Sequence, residues 1–423
     1  MKTKLSQHKQ SLLKSIESLL WNKREVRTFR IILSLFLDSQ VRSILENVKG
    51  ISASTASRFM NCEHAPDSVL WSILNKWQFK QFGQLPRRGR RGDVILKLDL
   101  SCVEKRGKQI PFARVFNRNY GIQLVVLHAC VGSLSFPLGY RIYKGKNTKT
   151  VVDLALELLA EFPASLWSSS VIVMADAGFG SNDFIKGCLA LNFNRLLVGL
   201  RYDRKLLEGR RLDELRKRGE QHQLKDLADL NIYITWADVK RDNKKKRFYL
   251  LSTFKAGGAY LARRYRKRWL IESFFKAIKY DFGLKEARLR TKGGIRLWIF
   301  FACLAYTLAK FEQGLKQNQN SITDAAKAVA EQLFDIHFIH LLTDLEAFNH
   351  RHSLQFKLVP VYMQVMRLRY RWRAHPDSLF SNPFAISSVY AKSLPNLTTS
   401  VPARLFPGWL SLFHLLPEDI PPK

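Results

Sequence analysis

Acidic residues are scarce in this chain. Its 423 residues carry 35 Asp and Glu against 69 Lys and Arg, a formal charge of +34, with a sequence pI ≈ 10.2. The excess is spread along the chain and is not confined to a tail, so the fitting partner is a polyanion, nucleic acid above all. A membrane surface would also attract it, but no lipidation signal and no single amphipathic helix stands out for that role. Cysteine is sparse too: Cys62, Cys102, Cys130, Cys188 and Cys303 are odd in number and scattered, with no C-x-x-C pair. A disulfide scaffold and a zinc ribbon are excluded on that count, and a reducing compartment fits. Cys62-Glu-His64 is too isolated to make a metal site. Long apolar runs are missing. The longest, Leu297 to Ala309, has thirteen residues, too few to cross a bilayer and suited to a buried helix. The N-terminus is polar and charged, without a secretory signal. No internal repeat is present.

What is present is enough for a sizeable core, at 46% hydrophobic residues, and the length suggests two or three domains. Residues 1–85 read as helical, with apolar positions at helical spacing through Ser11–Leu20 and Arg30–Leu45. Gly50 followed by Ile51-Ser-Ala-Ser-Thr-Ala-Ser-Arg-Phe59 suggests a helix-turn-helix whose second helix presents Arg58 to DNA. Ordinary three-helix packing gives the same pattern. Pro86-Arg-Arg-Gly-Arg-Arg-Gly92 is a basic linker in which Arg87, Arg88, Arg90 and Arg91 could touch phosphates or simply be solvated.

From residue 93 the pattern turns to strands. Val94–Leu98, Gly121–Leu127 and Phe136–Tyr143 suggest an antiparallel meander with a hairpin near Lys105–Lys108. A helix over Thr150–Phe162 follows, then a buried strand Val171–Met174, a helix over Asn182–Leu191 and a strand Arg195–Leu200. The order βββαβαβ is that of an RNase H-like mixed sheet flanked by helices. Residues 201–255 interrupt it with two further β-like runs, Asn231–Trp236 and Arg247–Ser252, around a basic turn. Beyond lie helices over Ile295–Phe311 and Ser321–Phe334. The tail holds nine of the fourteen prolines and the cation–aromatic run Arg367–Arg373. The expected organisation is an all-α N-terminal domain at 1–85, a linker at 86–92, an α/β catalytic domain at 93–315 and a helical, loop-rich region at 316–423.

Asp99 and Asp176 each close an apolar strand, where a side chain is held rigidly at a sheet edge. In an RNase H-like sheet those two strands are neighbours. Each aspartate alone could be no more than a turn cap. Asp93, which begins its strand, and Asp183, which starts a helix, are weaker rivals.

The stretch Tyr265–Lys279, YRKRWLIESFFKAIK, supplies the third carboxylate. At 100° per residue, Tyr265, Arg268, Glu272 and Lys279 fall within roughly 60° of one another, with Leu270, Ile271, Phe274, Phe275 and Ile278 largely opposite. A solvated face with an Arg268–Glu272 pair is the ordinary outcome. The spacing Tyr-x2-Arg-x3-Glu-x6-Lys, however, resembles that of the DDE transposases of bacterial insertion sequences, in the insertion-sequence-four or YREK-type group. Asp176-Ala-Gly-Phe179 resembles that family's D-x-G-F element, and Asp99-Leu-Ser101 its D-x-T element with Ser for Thr. The likeness extends over roughly residues 90–310.

The resemblance implies a DNA transposase, cytoplasmic in a bacterium, that binds the terminal inverted repeats of its element, cleaves the DNA and joins the 3′-OH ends to target DNA, acting as a synaptic homodimer. It implies that Asp99, Asp176 and Glu272 are catalytic, that Tyr265, Arg268 and Lys279 touch phosphates at the cleaved end, that the N-terminal helices bind DNA, and that 201–255 is the family's β-rich insertion. Three converging carboxylates repel one another unless cations lie between them. Two Mg²⁺ ions, with Mn²⁺ as substitute, suit the all-oxygen donor set. Trp269 could stack on a displaced base or pack in the core. A nuclease without strand transfer would share these residues, and a silent DNA-binding descendant would keep the charge.

Overall fold

Apolar runs and alternating strands build a nine-stranded sheet at the centre of the described chain, which in this computed structural model comprises residues 7–38, 51–62, 64–84, 94–107, 109–163, 171–241, 244–315 and 321–333. The strands are β1 (Val94–Glu104), β2 (Arg114–Phe116), β3 (Asn119–Val131), β4 (Leu134–Tyr143), β5 (Val171–Ala175), β6 (Leu196–Leu200), β7 (Glu220–Leu224), β8 (Leu227–Arg241) and β9 (Lys244–Ser252). Their spatial order is β2-β3-β1-β5-β6-β9-β8-β7, with β4 also on β3. β5 pairs in parallel with β1 and β6, and the remaining pairs are antiparallel. β5 and β6 are buried along their whole length, as central strands covered on both faces must be. The mixed, RNase H-like α/β fold expected from the sequence is the one observed.

The crossovers are α5 (Val151–Ala160) and α6 (Asn182–Ala190). α5 opens with a capping box in which the Thr150 and Asp153 side chains each accept from the other's backbone N–H. Gly139 of β4 lets Leu158 of α5 approach one face of the sheet. The other face, carrying His128, packs on Phe274 at 5.0 Å between ring centres. Phe274 belongs to α8 (Trp269–Tyr280), which follows α7 (Gly258–Tyr265) through a 3-10 turn at Arg266–Arg268.

Three elements differ from expectation. β1 does not end at Asp99 but continues to Glu104, because its antiparallel partner β3 extends to the Glu104–Gly121 pair while β5 stops at Leu98–Ala175. β2 and β7 were not foreseen. β2 has only three residues, and β7, Glu-Gln-His-Gln-Leu, has no alternating apolar face. The β-rich segment after β6 adds its strands to the same sheet. Ser252 of β9 pairs with Leu197 of β6, so the sheet is continuous.

Behind α8 lies α9 (Lys292–Leu315), 24 residues long. It is longer than the thirteen-residue run suggested, and by length and composition alone could cross a membrane, but 83% of its apolar window is buried within the fold. The N-terminal helices α1 (Gln7–Glu17), α2 (Lys23–Leu37), α3 (Ala53–Asn61) and α4 (Asp67–Gly83) cover its far side. Phe36 meets Trp298 at 5.0 Å, Phe29 meets Phe301 at 5.3 Å, and Trp71 meets Phe300 at 5.9 Å. Lys9 of α1 is buried against Glu312 of α9 and also donates to Gln332, at 2.8 Å, in the helical residues 322–333. All of this belongs to one compact unit, Met1–Leu333. The linker arginines 87, 88, 90 and 91, Asp93, Gly50, and the proline-rich tail with Arg367–Arg373 lie outside the described residues.

Candidate active site

The β1–β5 register ends at Leu98–Ala175, so the next residues, Asp99 and Asp176, stand side by side where the parallel pairing stops. Asp176 leaves the sheet through a 3-10 turn (Ala177–Phe179), and its Oδ1 accepts from the Gly178 N–H at 2.9 Å. The turn-capping role and a site role are therefore compatible, since one oxygen anchors the loop. Asp99 Oδ1 accepts from the Leu100 N–H at 2.9 Å. Close approach of the following strand allows this arrangement. A Cβ on Gly199 of β6 would stand 2.6 Å from the Ala177 nitrogen and 3.0 Å from both the Asp176 carbonyl carbon and the Tyr265 hydroxyl. Only a glycine leaves that space.

Arg268, in the turn between α7 and α8, joins the carboxylates. Its Nη1 donates to Asp99 Oδ2 at 3.1 Å and its Nη2 to Glu272 Oε1 at 2.6 Å. Its guanidinium lies 5.7 Å from the centre of the Tyr265 ring. The three carboxylates and Arg268 line one pocket of about 380 Å³ together with Leu100, Ser101, Phe275, Lys276, Lys279 and Tyr280. With Arg268 standing between Asp99 and Glu272, no three acidic, His or Cys side chains among the described residues are grouped closely enough to hold an ion.

Burial, and then the neighbouring Asp176, push the Asp99 carboxyl up to about 6, against the pull of Arg268. Burial opposes the charge of Arg268, but Tyr265, Asp99, Glu272 and Asp176 outweigh it and raise its pKa. Burial holds the Lys279 ammonium below the usual lysine range. Three carboxylates gather around one guanidinium, so their end of the pocket is short of positive charge. Its donors are hard oxygens. That donor set fits divalent cations of the Mg²⁺ or Mn²⁺ kind and does not favour zinc.

Of the residues singled out in the sequence, Asp99, Asp176, Arg268, Glu272 and Lys279 meet in this pocket. Tyr265 lies behind it and donates its hydroxyl to the Ala175 carbonyl at 3.1 Å. Arg58 is exposed on α3 and does not line the pocket. Asp183 is exposed in the first turn of α6, where Ser181 is the cap. Trp269 is 56% exposed and so is not a core residue. The sequence reading missed Lys276, Tyr280 and Gly199. Lys276 was within reach, being one turn past Glu272 on the same helix face. Gly199, a glycine inside a buried strand, carried the signal of a close backbone approach.

A family model described as Transposase DDE domain matches residues 91–308 of the chain. No curated protein matches. Among solved structures, a cryo-EM structure of the piggyBac transposase synaptic complex with hairpin DNA is similar, with a TM-score of 0.47 and 13% identity over 78% of this chain and 76% of that one.

Proposed function

The chain belongs to the transposase DDE domain family, matched over more than half its length, and on that premise we propose that it is a cut-and-paste transposase of the insertion-sequence-four, YREK-type group. Asp99, Asp176 and Glu272 are the catalytic carboxylates and would together hold two Mg²⁺ or Mn²⁺ ions. The observation that carries the reading is the meeting of these three side chains, from two adjacent strand ends and one helix, around a single arginine.

In this reading Arg268 is a placeholder for positive charge. It neutralises Asp99 and Glu272 in the free protein and turns to a phosphate when DNA and metal enter. The Gly178 N–H keeps Asp176 fixed meanwhile. Lys276 and Lys279, on the wall beyond Glu272, bind phosphates of the strand end. Tyr265 sets the α7–α8 turn against β5 and shares the phosphate contact that the resemblance assigns to it. Bound by the carboxylates, the ion pair would supply the Lewis acidity that activates water or a 3′-OH and stabilises the leaving oxygen. The helical region 1–85, with Arg58, and the arginines 87, 88, 90 and 91 contact the terminal repeats, 93–315 is the catalytic domain, and 316–423 is a further helical and extended region. The active species is a synaptic homodimer, working in the cytoplasm on its own element.

The test is strand cleavage and joining on duplex DNA bearing the element's ends, in Mg²⁺ or Mn²⁺, by wild type and Glu272→Ala. Metal-dependent release of 3′ ends and their joining to target, lost in Glu272→Ala while DNA binding persists, supports the proposal. Cleavage without joining would make the protein a nuclease. Equal activity of the two proteins would remove Glu272 from the site.

A further inference from the structure

Past Asp99, β1 and β3 continue together beyond the catalytic edge of the sheet and end in the β2–β3 hairpin. Glu104, Gly121 and Arg114 form one row across β1, β3 and β2. The tip is the two-residue turn Asn117-Arg118, closed by the Phe116–Asn119 pair, with φ of 46° and 67°. Both residues are left-handed, as a type I′ hairpin turn requires. At the second position glycine is the unstrained choice. This chain instead keeps an arginine there, exposed to solvent.

Arg118 is not alone. Arg106 and Arg114 are exposed on the same ribbon, and Lys144 and Lys146 at the end of β4 are exposed beside it. A Cβ on Gly145 would lie 3.8 Å from the Arg114 side chain and 3.9 Å from Phe116, and Phe116 meets Tyr143 at 5.7 Å, so the two segments touch. Among the described residues none of the five cations forms an ion pair. Charged side chains on an edge strand can serve merely to block strand addition. That accounts for Arg114 on β2 but not for Arg118, which is in the turn and strains the backbone. A strained residue where glycine would be unstrained points to function.

We propose that this ribbon is a second duplex-binding surface, in which Arg118 and Arg114, with Arg106, Lys144 and Lys146 beside them, grip the phosphate backbone away from the scissile phosphate. The partner class rests on the transposase reading; the surface itself rests on the unpaired cations and the turn. The five residues from Asp99 to Glu104 and the three from Gly121 to Arg118 put the tip about 27 Å along the strands from Asp99, at about 3.4 Å per residue. That is roughly eight base pairs of duplex. The ribbon tip falls outside the catalytic pocket.

The experiment is a fluorescence anisotropy titration of a labelled 30-base-pair mixed-sequence duplex in EDTA over a range of salt. It compares wild type, Arg118→Gly and Arg114→Gln. Arg118→Gly relieves the turn, so its melting temperature should equal or exceed that of wild type while its affinity falls several-fold. Each of the two ribbon variants should lower the slope of log K against log salt by about 0.9 for every phosphate that it no longer neutralises. Wild-type affinity and slope in both ribbon variants would overturn the proposal, even with the catalytic reading intact. Should Arg118→Gly melt early, Arg114→Gln, at a regular strand position, decides. An equal loss on the single-stranded 30-mer would overturn the assignment to duplex.

Discussion

Tyr265 donates its hydroxyl to the carbonyl of Ala175, the residue immediately before Asp176, at 3.1 Å. The end of α7 is thereby fastened to the strand that leads into Asp176, and Arg268 lies on the same ring. Tyr265→Phe keeps the ring but leaves a buried carbonyl without its donor, which costs about 1–3 kcal/mol. The expected result is a melting temperature lower by several degrees and slower strand cleavage. Unchanged melting would show that the carbonyl finds another donor.

Gly199→Ala tests how finely Asp176 is placed. The added methyl would press on the Ala177 nitrogen, the Asp176 carbonyl carbon and the Tyr265 hydroxyl at once. A displacement approaching 1 Å at a reacting group can cost on the order of 100-fold in rate. Cleavage by Gly199→Ala should fall on that scale while the far-ultraviolet circular dichroism spectrum stays that of wild type. Wild-type cleavage would mean that the turn after β5 yields without moving the carboxylate.

Lys105 gives stability a pH dependence of definite sign. It is buried, and its Nζ donates to the Leu284 and Lys285 carbonyls at 2.9 and 3.1 Å. Burial draws its pKa down to about 7, whereas the unfolded chain keeps the ordinary value of 10.5. Below pH 7 both states hold the proton and the penalty is complete. Between about 7 and 10.5 the unfolded state binds more protons, so stability rises with pH. From pH 7 to 9.5 the gain is on the order of 3 kcal/mol. In urea unfolding, wild type should gain on Lys105→Met as the pH goes from 7 to 9.5. Parallel pH profiles for the two proteins would contradict the assignment.

The pairing of Lys9 with Glu312 ties the N-terminal helices to α9 in a buried setting. Lys9→Met leaves the glutamate buried without its cation, an imbalance that costs about 3–5 kcal/mol. Replacing both residues, Lys9→Met with Glu312→Leu, should recover most of that loss. A double-mutant cycle by chemical denaturation measures it, and additive losses would show the pair to be uncoupled.

The meeting of the candidate side chains in one pocket was more legible in the sequence than the architecture around it. Asp99 and Asp176 follow short apolar runs of the kind buried strands produce, and the spacing of Glu272 and Lys279 is a local property of α8, with Arg268 in the turn just before it. Such signals survive in isolation. β7 was invisible because Glu220–Leu224 is polar and forms a strand only on β8, and β2 because three residues hold no period. The extension of β1 to Glu104 depends on its pairing with β3, not on its own composition. Nothing in Phe29, Phe36 or Trp71 announces that they pack on a helix more than two hundred residues away; that match exists only once α9 is in place. The Asn117-Arg118 turn was missed for another reason: an arginine is not a turn signal, and its left-handed backbone appears only in the folded chain.

The continuity of the sheet through β6, β9, β8 and β7 has a mechanical meaning. Backbone hydrogen bonds run without a break from Asp99's strand to the outermost edge of the segment after β6. Among the described residues each strand is paired with the next along this path. A load applied at β7 or β8 reaches β6, and so Gly199 beneath Asp176, by bending a beam, not by swinging a gate. The segment is thus a fixed outrigger. DNA gripped there would be held in register with the carboxylates by the stiffness of the sheet.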